Sequence, residues 1–209
     1  MKIDFVSDVS CPWCAIGLAA LEQAVARVGE QPEIHFQPFE LNPQIAPEGE
    51  EIVGHLRRKY GLTAEQVAAN TEAIRQRGEA LGFQFGAGKR QRIYNTFDAH
   101  RLLHWAELEG RQPALKHALL KAYFTDGENP SDHEVLVRLA GQAGLDTARA
   151  RAVLASDEFA AEVREREAFY VDQGIHAVPA VIIDNRHLIQ GGQPVEVFER
   201  ALRQIAAAG

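Results

Sequence analysis

The sequence is poor in cysteine, because only Cys11 and Cys14 occur in its 209 residues. Two cysteines cannot build the framework of several disulfides that stabilises many small secreted domains. A structural zinc site needs four ligands, and the sequence contains no second cysteine pair that would complete one. The chemistry of the two thiols is therefore the first question that this sequence raises.

Long apolar runs and an excess of positive charge are also missing. No run approaches the roughly 18–20 apolar residues of a membrane span, and Met1–Asp4 lack the hydrophobic segment and cleavage site of a signal peptide. The 22 Lys and Arg residues are outnumbered by 29 Asp and Glu, which gives a net charge of −7. We therefore expect a cytoplasmic protein that binds neither nucleic acid nor membranes, and we expect the short basic cluster at 89–92 to be a solvated loop.

The two cysteines belong to the motif Cys11-Pro12-Trp13-Cys14, which lies where a strand pattern changes to a helix pattern. Residues 2–6 alternate in polarity, and from residue 15 onward apolar residues recur at helical spacing. Proline suits the first position of a helix and disfavours helical geometry in the residue before it. The motif therefore predicts Cys11 at the N-cap of a helix and Cys14 one turn further along.

A helix N-terminus favours a thiolate, because its free amides and its dipole attract negative charge. We expect the amides of Trp13 and Cys14 to point at the Cys11 sulfur. Cys11 would then be the attacking thiol, and Cys14 the resolving thiol that closes on it to release a mixed disulfide. Two other interpretations stay open: half of a zinc site, or a pair of buried cysteines without chemistry.

The order of predicted elements is β-α-β, a long helical block, and β-β-α. Parallel strands joined by the first helix are expected near residues 2–6 and 33–41, and an antiparallel hairpin is expected over residues 178–190. Residues 63–66 and 131–134 match the capping box that begins a helix. We predict a discontinuous α/β domain of residues 1–47 plus 173–209, with residues 48–172 as an inserted helical subdomain.

Pro179 is the second informative residue, because a proline in a core strand is confined to a strand start, an edge or a bend. A cis bond before Pro179 would leave the backbone groups of Val178 free to pair with an extended substrate. Only a minority of such bonds, about 5–6%, are cis. The residues alone therefore do not favour this geometry.

Taken together, these features resemble thioredoxin-fold proteins of the DsbA type, and most closely the FrnE-like branch. That branch is related to 2-hydroxychromene-2-carboxylate isomerases and kappa-class glutathione transferases. The resemblance covers nearly the whole chain and rests on Cys11-Pro12-Trp13-Cys14, Phe39-Glu40-Leu41-Asn42-Pro43, Asn95 to Leu102, Ala122-Tyr123-Phe124, Ala177-Val178-Pro179 and Ile189 to Pro194. It implies an α/β thioredoxin fold with a large all-helical insertion that roofs the active site, a redox-active pair of Cys11 and Cys14, and a cis Pro179.

The resemblance also implies two functions. The isomerase and transferase relatives carry serine where this chain has Cys11, so we expect a thiol–disulfide oxidoreductase or disulfide isomerase. A glutathione-dependent isomerase or transferase is the alternative. The partners of this protein would be protein or small-molecule thiols and disulfides, with glutathione as a reductant or ligand and no bound cofactor required. Pro12, Trp13, His176, Val178 and Pro179 are the expected substrate-binding residues, with Trp13 as a flat apolar surface and His176 as a further titratable group.

Overall fold

The fold is organised around a four-stranded sheet whose central strands come from opposite ends of the chain. The computed structural model describes residues 1–208. The strands of this sheet are β1 (Lys2–Ser7), β2 (Glu33–Pro38), β5 (Ala180–Ile183) and β6 (His187–Gln190). Their order is β2-β1-β5-β6. Strand β1 is parallel to β2, with Phe5 opposite Phe36, and antiparallel to β5, with Phe5 opposite Val181.

Nine α-helices and one π-helical segment accompany the sheet in the part of the chain that is described. The helices are α1 (Pro12–Val28), α2 (Ile52–Tyr60), α3 (Ala64–Ala80), α4 (Phe97–Leu108), α5 (Gln112–Leu120), α6 (His133–Gln142), α7 (Thr147–Leu154), α8 (Ala160–Asp172) and α9 (Val195–Ala208). Seven of them lie between β2 and β5. This mixed α/β thioredoxin fold with a helical insertion confirms the predicted fold class. The predicted domain boundaries at 47/48 and 172/173 stay a prediction.

Local sequence signals explain several of the element ends. Gly29 ends α1 with a φ of 79°, a left-handed conformation that glycine adopts without strain. The Thr63–Gln66 capping box that begins α3 is present as predicted. At the hairpin between β5 and β6, Asp184 and Asn185 have φ values of 49° and 55°. They are the two central residues of a turn in which the Arg186 amide donates to the Ile183 carbonyl oxygen at 3.1 Å, and positive φ at both positions suits the twist of a hairpin.

Two predictions about the helical block, the N-cap at Ser131 and the all-helical content, were wrong in detail, and a third feature was not predicted. The N-cap of α6 is Asp132 and not Ser131, because the Asp132 carboxylate accepts the amides of Glu134 and Val135. Two short strands, β3 (Glu50–Glu51) and β4 (Arg92–Ile93), pair with each other inside the block. A π-helical segment, Lys121–Asp126, continues directly from α5.

The apolar core continues from the sheet into the helical block. Phe5 is fully buried, and so are Leu21 of α1 and Phe198 of α9. Tyr123 and Phe124 of the π-helical segment belong to the same cluster. A second cluster joins α4, α5, α6 and α7. Within residues 1–208, no helix is both long enough and apolar enough to cross a bilayer.

Candidate active site

The cysteine pair lies where β1 leads into α1. Cys11 is the N-cap residue, with φ −90° and ψ 113°, and Pro12 occupies the first turn, as the sequence predicts. Both cysteines are free thiols. Cys11 retains 4% of its surface and Cys14 none. Only Cys11 can therefore meet a substrate first.

The expected contacts between amides and the Cys11 sulfur are not made in this reduced state. The Cys11 side chain accepts no capping hydrogen bond, and the Cys14 amide donates to the Cys11 carbonyl oxygen at 3.1 Å. The Cys11 thiol points towards the carbonyl oxygen of Val178, with Sγ 3.8 Å from it. A protonated thiol is a weak donor and turns to an acceptor, so the prediction was wrong for this state.

Val178 and Pro179 lie beside the sulfur on the loop that precedes β5. Their peptide bond is cis, and Pro179 is buried while Val178 is half-buried. The loop comes close to α1 at Gly17, where an added Cβ would lie 3.0 Å from Pro179 Cγ. The missing side chain of Gly17 thus permits the approach of this loop to the dithiol.

An open cavity of about 540 Å³ lies above Cys11. Five of the predicted site residues line it: Cys11, Pro12, Trp13, His176 and Val178. Helices α2 and α3 form its far wall. Trp13 is 41% exposed, and the Arg77 guanidinium lies over its ring at 5.8 Å. Cys14 and Pro179 are buried and do not line this cavity.

A buried lysine beneath the dithiol is a site residue that the sequence reasoning missed. Lys116 of α5 is fully buried. Its Nζ donates to Ser7 Oγ at 2.9 Å and lies 5.7 Å from the centre of the Phe36 ring. The sequence does not predict that Lys116 is buried, because a lysine side chain is expected to reach the solvent.

Asp8 is a second buried charge, three residues before Cys11. Its Oδ2 accepts hydrogen bonds from Ser10 Oγ at 3.0 Å and from the Leu41 amide at 2.8 Å. His100 Nε2 lies 3.5 Å from Oδ1. Burial by itself would raise the pKa of Asp8, but the interaction with His100 and the Leu41 amide keep that pKa below its usual value. Asp8 is therefore an anion at neutral pH.

Burial and the Lys116 charge act in opposite directions on the Cys14 thiol. Burial raises the pKa of the Cys14 thiol well above its usual value, and its hydrogen bond to Cys11 raises that pKa further. The Lys116 ammonium acts in the opposite direction. Burial lowers the pKa of Lys116, while Cys14, Asp8 and Cys11 each favour its charged form.

Within residues 1–208, no three His, Cys, Asp or Glu side chains are grouped as metal ligands would be.

The comparison with protein families gives this geometry a context. The model of the DsbA-like thioredoxin domain matches residues 2–203. The chain belongs to this family. Membership of the DsbA-like family agrees with the observed fold and with the resemblance that the sequence motifs indicate.

Individual relatives of this DsbA-like chain extend along most of its length. A probable DsbA oxidoreductase from Streptomyces coelicolor is 37% identical and superposes with a TM-score of 0.92, covering 98% of this chain and 89% of its own. The uncharacterized protein YwbO of Bacillus subtilis (strain 168) is 27% identical over 205 residues, which are 97% of this chain and 96% of YwbO. The cytosolic disulfide reductase DsbM from Pseudomonas aeruginosa, solved with GSH, shares the fold at 15% identity, with a TM-score of 0.68 and coverage of 99% and 100%.

Proposed function

We propose that this protein is a thiol–disulfide oxidoreductase in which Cys11 attacks and Cys14 resolves. One observation carries the proposal: the two thiols of the motif lie next to each other at the start of α1, with Cys11 at a cavity and Cys14 fully buried. Membership of the DsbA-like family supports the same class of chemistry.

The reaction would proceed in two exchanges. The Cys11 thiolate bonds to one sulfur of the substrate disulfide, the substrate S–S bond breaks, and the departing sulfur leaves as a thiolate that takes up a proton. Cys14 then loses its proton and bonds to Cys11, which displaces the second substrate thiol. Two electrons thus pass from the dithiol to the substrate, and the reverse sequence oxidises a substrate dithiol.

The surroundings of the sulfurs would serve these steps. The Val178 carbonyl oxygen, which accepts the Cys11 thiol at 3.8 Å, would be released to pair with the backbone of an extended substrate. Pro12, Trp13, His176 and Pro179 would shape the contact. Lys116 would favour the Cys14 thiolate in the second exchange, because a nearby cation lowers a thiol pKa.

Partners and location follow from this chemistry. We propose protein or small-molecule thiols and disulfides as substrates, with glutathione as reductant or ligand and no bound cofactor. A cytoplasmic location would keep the resting dithiol reduced.

Paired cysteine variants test the proposal. We expect Cys11→Ser to leave only background reduction of a model disulfide, and Cys14→Ser to accumulate a mixed disulfide visible in the intact mass. Cys14→Ser that keeps full turnover on a substrate without a disulfide would favour the glutathione-dependent isomerase or transferase instead. Unreactive thiols in the wild-type protein would refute both enzymatic functions.

A further inference from the structure

The cavity above Cys11 carries charge of one sign. Its lining contains Arg90, His55 and His176, and in the described part of the chain it contains no Asp or Glu side chain. This is unusual for a protein with 29 acidic residues and a net charge of −7. His55 is already bound by Glu50 and Asn42, which leaves Arg90 as the fixed cation of the wall.

Arg90 contacts two aromatic side chains and has no acidic partner in the described part of the chain. Its Nε donates to Tyr123 Oη at 3.0 Å, and its Cζ lies 5.4 Å and 5.2 Å from the ring centres of Tyr123 and Phe124. Among residues 1–208, no carboxylate lies within 4 Å of it, and its two terminal nitrogens have no protein acceptor. Arg58 of α2, by contrast, is paired with the Glu50 carboxylate.

Arg90 also belongs to the wall of a neighbouring cavity of about 410 Å³. The one carboxylate of that second lining, Glu72, is bound by Arg75 at 2.7 Å. The positive charge of Arg90 is therefore not neutralised by a carboxylate in the lining of either cavity. The earlier expectation of a solvated basic loop at 89–92 does not hold for this side chain, because two aromatic rings cover it.

The apolar part of the cavity wall would strengthen the attraction between Arg90 and an anion that enters the cavity. Ile52, Leu56 and Ile74 face the same space, and apolar walls reduce the screening by water. A guanidinium with two free nitrogens matches the two oxygens of a carboxylate. The volume of about 540 Å³ lies in the range of about 300–1,000 Å³ that is typical of small-molecule sites.

We propose that Arg90 selects low-molecular-weight disulfides that carry a carboxylate, by binding that carboxylate while the disulfide lies at Cys11. The inference rests on the proposed function and adds a substrate class to it. Cys11 bonds to the near sulfur, the anionic thiol leaves, and Cys14 then displaces the second thiol by bonding to Cys11. The electrons come from the reduced dithiol, so a single turnover needs no other reductant.

Three small symmetric disulfides separate the effect of charge from the effect of reactivity. Each arm has two methylene groups between the sulfur and the terminal group. The molecules are 3,3′-dithiodipropionate, which is anionic, bis(2-hydroxyethyl) disulfide, which is neutral, and cystamine, which is cationic. The measurement is the second-order rate at which each oxidises the reduced protein at pH 7 and fixed ionic strength, followed by acid quench and thiol labelling. The ratio of anionic to neutral rate is compared between variants, so that the intrinsic reactivities cancel.

We expect Arg90→Met to lower this ratio about tenfold, the loss of one charge-assisted hydrogen-bonded contact, and to leave the neutral rate within about twofold. Arg90→Lys keeps the charge and should retain most of the preference. Arg186→Met removes the same charge at the exposed hairpin turn and should leave the ratio unchanged. Salt should weaken the wild-type preference.

The possible failures are distinguishable. An unchanged ratio in Arg90→Met overturns the inference, and so does an equal fall of all three rates, which would indicate a purely structural role for Arg90. If none of the three disulfides oxidises the wild-type protein, the proposed function itself is refuted.

Discussion

At the scale of single residues, burial and one cation give the two cysteines different tasks. Cys14 has no exposed surface and lies near Lys116, whereas Cys11 lines the open cavity. A buried thiol resists ionisation, since a charge in a low-dielectric interior is costly. The second exchange, in which Cys14 must become a thiolate, is therefore the step that the protein environment controls.

The pH dependence of that exchange follows from the raised pKa of Cys14. Below the pKa of a thiol, its thiolate fraction rises tenfold per pH unit. We expect the mixed disulfide on Cys11 to decay about ten times faster for each unit between pH 6 and 8, because only the thiolate attacks. Rapid mixing with quenched mass analysis measures the decay, and a rate that is independent of pH in this window would contradict the prediction.

Removal of the buried cation should slow the same step. Lys116→Met takes away the ammonium that lowers the pKa of Cys14, so the thiolate fraction of Cys14 should fall and the mixed disulfide should decay about tenfold more slowly. The first attack on a neutral disulfide should change less. Lys121→Met is the matched control, because Lys121 is an exposed lysine that binds Asp126. Equal slowing in both variants would exclude a specific role for Lys116.

Residue identity alone predicts part of this site. Cys11, Pro12 and Cys14 could be placed on the first turn of α1 because capping and proline rules act over a few neighbouring positions. Lys116 could not be placed, since lysine is almost never fully buried unless it is paired. Its partner Ser7 is remote in sequence, and such a contact exists only in the folded chain.

At the scale of elements, Gln112 closes one edge of the sheet. Its side chain behaves as an additional strand residue, accepting from the Phe36 amide at 2.9 Å and donating to the Phe36 carbonyl oxygen at 3.0 Å. The amide also donates to the Leu103 carbonyl oxygen. Helix α5 is thereby fastened to β2, whose edge would otherwise have open backbone groups.

Gln112→Leu should destabilise the protein without changing its chemistry. The substitution leaves the buried backbone groups of Phe36 unpaired, at a cost of about 1–3 kcal/mol for each unsatisfied group. Chemical denaturation of the reduced protein should show a loss of about 2–4 kcal/mol, while the oxidation rate of the folded variant stays close to wild type. Gln142→Leu is the control, because Gln142 is an exposed residue at the end of α6. An equal loss of stability in that variant would contradict the role given to Gln112.

The predicted elements were most accurate where the periodic pattern was long. Helix α1 and its end at Gly29 follow from a sustained helical repeat and a glycine. The strands Glu50–Glu51 and Arg92–Ile93 are too short to show alternation. In the π-helical segment, Phe124 packs against Phe83, Phe85 and Tyr123, and a local pattern does not contain the contacts with Phe83 and Phe85.

At the scale of the whole molecule, the hairpin of α2 and α3 is the most thinly packed part of the structure around the site. Helix α3 buries only Val67 and Gly78 along its whole length, and α2 buries only His55. Helix α1, of equal length to α3, buries eight residues. Since few buried contacts mean a low free energy of local opening, we expect this hairpin to open independently.

Hydrogen exchange tests that expectation directly. Amides of residues 52–80 should exchange at least about tenfold faster than those of α1 and α4, a factor that corresponds to about 1.4 kcal/mol of opening free energy. Occupation of the cavity by 3,3′-dithiodipropionate in a Cys11→Ser, Cys14→Ser protein should slow the exchange of α2 and α3. Uniform protection across the chain would show that the hairpin is as stable as the core.

The order of the four sheet strands, α1 and α9 was predictable, because βαβ and hairpin rules restrict the topology. The cavity was not predictable, since its wall is assembled from the Cys11 turn, α2, α3, the Arg90 loop and the loop before β5. Assignment to the FrnE-like branch stays a prediction, and the wider DsbA-like family is the level that the comparisons support.

The position of β1 has a consequence for synthesis on the ribosome. This strand is made first but lies between β2 and β5, so it gains its second neighbour only after nearly all of the protein has been translated. Until then the nascent polypeptide holds both thiols without the packing that later buries Cys14, and contacts so distant in sequence form slowly. Any oxidant present during translation would therefore meet two equally accessible sulfurs, a state that the finished molecule never presents.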